Sequence, residues 1–166
     1  MKTISRLLRH LCTNSRSGQR AFPAPTLKAI EAAIAEGETR HRAEVRLIIE
    51  AALNAQAVLG GMTARERARE LFAHYRIWDT EENCGVLVYI NLADHQVEIV
   101  ADRGVGRAIA ANDWQGICRM MTAGFARGDF HHSVLSALGH LHDLLAAHFP
   151  DDGSSRNQLP DRPVIL

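Results

Sequence analysis

Residues 85–92, Gly-Val-Leu-Val-Tyr-Ile-Asn-Leu, constrain the fold more than any other part of the chain. Val86, Leu87, Val88, Tyr89, Ile90 and Leu92 leave no polar face, so the segment reads as an inner strand covered above and below. Burying six such side chains contributes on the order of 10 kcal/mol before entropy is subtracted. That gross gain resembles the whole net stability of a small domain, roughly 5–15 kcal/mol. An Asp94-His95 turn returns the chain into an alternating arm. Val97, Ile99 and Ala101 face one way there, and Glu98, Val100 and Asp102 the other. A strand buried on both faces demands layers on both sides, and this one is followed by a charged exit, Asp102-Arg103-Gly104.

The 166 residues suit one domain with a real core. All five prolines (Pro23, Pro25, Pro150, Pro160 and Pro163) lie outside residues 26–149, which carry every strong periodic pattern. The chain therefore divides into a basic N-terminal arm (1–25) with a short amphipathic helix, an α/β domain (26–149) and a polar, proline-containing tail (150–166). Residues 1–22 hold Lys2, Arg6, Arg9, Arg16 and Arg20 and no acid. On a chain of net charge zero, the arm is +5 and the remainder −5. Such an arm docks on the acidic body or on an anionic surface. Nucleic acid fits poorly, because the body lacks a basic face and has two Trp and two Tyr to stack bases.

Cys12, Cys84 and Cys118 are odd in number and without C-x-x-C spacing, which favours a reducing compartment over a disulfide frame. No apolar run is long enough to span a bilayer, and Arg6 and Arg9 interrupt any secretion-signal core. The expectation is a cytoplasmic protein, peripheral to the inner membrane at most. In the arm, Ile4, Leu7, Leu8 and Leu11 recur at helical spacing. The face suits anionic lipid, or packing on the chain's own domain or a partner; its shortness favours packing.

Within the body, Thr26 is a plausible N-cap for a helix burying Leu27, Ile30 and Ile34 and stopped by Gly37. Residues 44–50 read as a strand. Thr63-Ala-Arg-Glu66 forms a capping box before a helix that buries Ala68, Leu71, Phe72 and Tyr75. That helix crosses over between two strands, which are then parallel, and the hairpin adds an antiparallel third. Two helices follow, one starting near Asp113 and one after Gly128-Asp129. The fold class is α/β: a three-layer αβα sandwich with a short mixed β-sheet.

Candidate sites cluster at the hairpin exit. Asp102, Arg103, Gly104 and Arg107 form a binding candidate, either a structural ion pair or a recognition point for a peptide or anion. Asp79, Glu82 and Asn83 precede the hairpin while Asp102 ends it, so the antiparallel pairing brings them to one end. Those oxygens could take a hard cation such as calcium; solvated loop acids are the plainer reading. Glu98 and Asp102 cannot share an ion, being roughly 13 Å apart at the usual strand rise. His131, His132, His140, His142 and His148 contain no i,i+3 or i,i+4 pair, which argues against zinc. Gly104-Val-Gly lacks the third glycine of a dinucleotide fingerprint and follows a hairpin, so no nucleotide cofactor is expected. No Cys-x₅-Arg loop or buried-strand D-x-D offers a phosphoryl-transfer nucleophile.

The order of elements, with Asn83-Cys-Gly-Val-Leu-Val-Tyr-Ile, Val97-Glu-Ile-Val-Ala-Asp-Arg-Gly-Val, Trp114, Gly128 and Leu144-Leu-Ala-Ala-His-Phe-Pro150, resembles the TPM domain family. The likeness is to a bacterial branch without membrane segments, and extends to Phe22-Pro and Trp78-Asp-Thr-Glu. Relatives occur in thylakoid-lumen, bacterial-envelope and receptor-accessory proteins. The resemblance implies a role in maintaining membrane complexes; weak acid phosphatase activity and calcium binding are attributed to some members. Cys84 stands where the family typically has Asn, which bears on any ion-binding role of that side chain. The leading expectation is a non-catalytic binding or accessory module. Its rivals are a divalent-metal-dependent phosphohydrolase and a calcium-binding domain.

Overall fold

In the computed structural model, which describes residues 2–153 and 157–166, a four-stranded sheet runs in the order β3-β2-β1-β4. β1 (Glu44–Glu50) pairs in parallel with β2 (Gly85–Asn91), Glu44 opposite Gly85 and Glu50 opposite Asn91. β3 (Gln96–Ala101) pairs antiparallel with β2, and β4 (Val164–Ile165) pairs in parallel with β1. All seven residues of β2 are buried, as its uninterrupted apolar run requires. The side chains divide by parity. Val86, Val88 and Ile90 enter a large core with Ile30, Ile34, Met121, Leu138 and Leu141, while Leu87 and Tyr89 join a smaller one with Ile48, Ala68, Leu71 and Ile77.

The large core is closed by α3 (Ala24–Glu38), α7 (Ala111–Ala126) and α8 (Phe130–His148). The smaller one is closed by α5 (Ala64–His74), whose N-terminus is the expected capping box: Thr63 Oγ1 accepts from Glu66 N at 3.1 Å, and Glu66 Oε2 accepts from Thr63 N at 2.8 Å. These are the three layers expected from the sequence.

Several expectations are corrected. Thr26 is not the N-cap of α3: Pro23 holds that position, and Thr26 lies buried inside the helix with its hydroxyl 3.0 Å from His131 Nδ1. Gly37 does not stop α3, which continues through Glu38. It is glycine because a Cβ there would lie 2.2 Å from the His142 ring. The tail is not merely a polar appendage, since Val164 and Ile165 make a fourth strand. Three short helices lack clear periodic signals: α2 (Ser15–Ala21), α4 (Ala55–Leu59) and α6 (Arg103–Ala108).

Candidate functional site

At the N-terminal ends of β1 and β2, the chain leaves β3 through Asp102. Its backbone N–H donates to the Gly85 carbonyl at 2.8 Å, and its Oδ1 caps α6 by accepting from Arg103 N at 2.7 Å. The carboxylate is buried, and its Oδ2 has no hydrogen-bond partner. Gly104 N–H donates to the Asn83 carbonyl at 3.0 Å, and a Cβ on Gly104 would sit 2.7 Å from that oxygen. Glycine is thus required by close approach of two loops. The exit and residues 80–83 do converge, as the antiparallel geometry demands.

Their side chains do not converge equally. Arg103 and Arg107 are exposed, and no ion pair joins Asp102 to Arg103; the contact between them is to the backbone. Asp79, Glu82 and Asn83 are exposed, with Asn83 at φ 53°. Glu82 Oε2 is taken by Arg42 Nη1 at 2.6 Å. Among the described residues, no group of three or more His, Cys, Asp or Glu side chains could hold a metal ion. Cys84 is buried, its thiol pushed up by burial and directed at the Arg42 carbonyl at 3.0 Å.

The opposite edge of the sheet, where the parallel strands end, holds a denser polar network. Open α/β sheets commonly carry their sites at this edge. Tyr89 donates to Glu50 Oε2 at 2.6 Å, Asn91 Nδ2 donates to the Tyr89 oxygen at 3.0 Å, and Arg67 grips Glu50 through Nη2 at 2.8 Å. Burial pushes the Tyr89 phenol up, and the Glu50 carboxylate it faces pushes it further. Asn91 Oδ1 accepts from Asp94 N at 2.9 Å and so shapes the hairpin turn.

Asp94 in turn anchors α1 (Lys2–Cys12). Arg6 reaches its carboxylate at 2.6 Å, and His10 Nε2 lies 3.1 Å from Oδ1. His10 Nδ1 accepts from Leu53 N at 2.9 Å, which places the ring proton on Nε2, facing Asp94. Burial alone would raise the Asp94 carboxyl, but the Arg6 hydrogen bonds and the close His10 ring outweigh it and hold it below the usual carboxylate range. The arm therefore packs on its own domain through its polar side, with Leu7 half-buried, and not through the apolar face that its spacing pointed to. Ile4, Leu8 and Leu11 are 67%, 56% and 64% exposed, and Leu59 of the neighbouring α4 is 64% exposed. Arg9, Arg16 and Arg20 are exposed as well. The helical spacing of the stripe was legible in sequence. Its outward direction was not, because it depends on Asp94, which lies far along the chain.

Two further groups escaped the sequence reading. His41 Nε2 lies 2.8 Å from His142 Nδ1, the rings stacked and both buried. Burial pulls each down to about 4, so the pair is neutral near pH 7. Beside His41 a hollow of about 400 Å³ is lined by Glu38, Glu44, Asp151, Asn157 and Asp161. Burial, with Glu44 and Asp161 nearby, pushes Glu38 up to about 9. Acids at 38 and 44 bracketing a polar link gave a faint signal; partners a hundred residues away gave none.

The TPM domain profile matches residues 18–144, which contain the whole of β1, β2, β3 and α7. The chain belongs to the TPM domain family. This TPM domain is similar to the NMR structure of the BA42 protein from the psychrophilic bacterium Bizionia argentinensis, with a TM-score of 0.77 and 22% identity. The likeness covers 87% of this chain and 95% of that one, and it shows the shared fold. No curated protein matches. Among the described residues, no helix is long and apolar enough to cross a membrane.

Proposed function

We propose that this TPM domain is a non-catalytic accessory module that works against an anionic membrane surface, with α1 as its docking face, in the service of membrane-protein complexes. One observation carries the reading: Ile4, Leu8 and Leu11 point outward while Arg6 and His10 clamp the reverse side to Asp94. An amphipathic helix normally turns its apolar stripe inward. One held rigidly the other way round presents a preorganised apolar surface. Exposed Arg16 and Arg20 complement anionic headgroups, each basic residue near such a surface being worth about 1 kcal/mol. The thiols support a binding role over nucleophilic chemistry, since burial pushes Cys84 up and Cys118 up to about 11.

The test is sedimentation with vesicles at low salt. The full chain should pellet with vesicles containing one quarter phosphatidylglycerol and stay in solution with pure phosphatidylcholine. Leu8→Asp should abolish pelleting without lowering the melting temperature, because Leu8 makes no core contact. Equal soluble fractions with both vesicle types would refute the membrane reading.

A further inference from the structure

A hollow of about 200 Å³ lies where β2 ends, on the sheet edge at which open α/β sheets commonly take their ligands. It is built from separate stretches of chain: Thr13, Ser17 and Ala21 of the arm meet the end of β2, and Phe125 and Phe130 close it from α7 and α8. Contacts made elsewhere fix these walls. Asn14 caps α2 by accepting from Arg16 N at 3.0 Å and Ser17 N at 3.2 Å. Phe22 meets Phe125 and Phe130 edge-on, with ring centroids 6.0 and 5.6 Å away, and those two rings stack on each other at 4.9 Å. A hollow held open by its surroundings is preformed, so little ordering entropy is lost when a ligand enters.

Size and lining decide the chemistry of the occupant. An apolar cavity of about 150 Å³ holds one benzene ring, so this one admits a single ring with a small substituent and is too small for a nucleotide. Phe125 and Phe130 are half-buried and border the hollow, where a further ring can pack on them edge-on or offset, as Phe22 does from the other side. No Asp, Glu, Lys or Arg lines it, so a charged ligand would lose its water without gaining a partner. Two donors border the space. Asn91 is fully buried, and its Nδ2 carries two hydrogens, of which one goes to the Tyr89 oxygen at 3.0 Å. The half-buried Thr13 hydroxyl makes no hydrogen bond among the described residues. Both call for an acceptor oxygen on the ligand. His95, exposed, also lines the hollow, and its ring can accept the ligand's own hydrogen.

We propose that this hollow is a binding site for a small uncharged phenol-type compound, one aromatic ring bearing one hydroxyl. The ring packs on Phe125 and Phe130, and the oxygen accepts from Thr13 and Asn91. The site uses none of Ile4, Leu8 and Leu11, so this inference stands or falls independently of the membrane reading.

The probe is phenol itself, titrated into the isotope-labelled full chain and followed by backbone amide shifts. The shifts should saturate with a Kd at or below about 1 mM and centre on Thr13, Ser17, Leu92, Phe125 and Phe130. Cyclohexanol, which lacks the π face, and benzoate, which is charged, should bind at least about tenfold more weakly. Ala21→Leu fills the hollow from a half-buried helical position and should abolish the shifts while unfolding stays cooperative. Thr13→Val keeps the side chain's shape without its hydroxyl; it should weaken phenol several-fold and leave toluene unchanged, a difference that a merely structural role would not produce. Absence of saturable shifts up to about 10 mM phenol would overturn the proposal. So would undiminished binding to Ala21→Leu or Thr13→Val, or cyclohexanol and benzoate binding as tightly as phenol. Should Ala21→Leu fail to fold, the Thr13→Val comparison decides.

Discussion

Replacing Glu38 by Gln should stabilise this protein, and the gain should grow with pH. Glu38 Oε1 accepts from Val45 N at 2.7 Å, a contact that Gln retains through its own Oε1. Its other oxygen is buried without a hydrogen-bond partner, and burial holds the carboxyl up at about 9 against an ordinary 4.5. The folded state therefore binds a proton that the unfolded state releases between those values. This group's contribution is complete below pH 4.5 and is lost as pH rises towards 9. At pH 7 the difference spans about 2.5 units, or roughly 3 kcal/mol at 1.36 kcal/mol per unit. Partial exposure of the side chain reduces that to about 2 kcal/mol. Gln has no proton to take up, and its Nε2 can donate to the Asp161 carboxylate. The expected rise in melting temperature at pH 7 is about 4–8 °C for a chain of this size. Thermal unfolding of both proteins at pH 5, 7 and 8.5 measures it: a small gap at pH 5, widening at each step. A constant gap, or a variant less stable at every pH, would refute the assignment of Glu38 as a proton-binding group in the native fold.

The buried His41–His142 pair imposes the opposite slope. Each ring is held at about 4 in the folded state against 6.5 in the unfolded, so stability is full above pH 6.5 and falls as pH drops towards 4. In urea titrations, His142→Gln should flatten the acid limb; an unchanged limb would remove the pair from the account of acid unfolding. Gly85→Ala should be among the most damaging single substitutions, because a Cβ there would lie 1.8 Å from the Ile77 carbonyl oxygen, a backbone atom. A loss of at least about 3 kcal/mol, or failure to fold, is expected, and a near-native denaturation midpoint would contradict the packing of the 77–85 loop on β2.

The proposed hollow and the proposed membrane face share one physical feature. Both are assembled from distant parts of the chain: Arg6 and His10 with Asp94 in one case, Thr13 and Ala21 with Asn91, Phe125 and Phe130 in the other. Neither involves Asp102, Arg103, Gly104 or Arg107, the residues that the charged hairpin exit brings to mind. At that exit the short-range geometry is as the sequence implied, with Gly104 against Asn83, while Asp102 serves the backbone of α6 and Glu82 serves Arg42.

The sequence by itself determined three of the sheet's strands and its layers. The doubly apolar run 86–92, the alternation of 97–101 and the capping box at Thr63 are local patterns whose periods leave one arrangement of strand, crossover helix and hairpin. Period and capping are properties of neighbouring residues, so one reading of the chain contains them. Tertiary structure alone decided which way α1 faces, that 164–165 join the sheet, and that Glu38, His41 and His142 are buried together. Each of those depends on a partner at least 88 residues away, with the acids around Glu38 likewise drawn from distant parts of the chain. A side chain's charge state and direction follow from the dielectric and the partners around it, which no local pattern encodes.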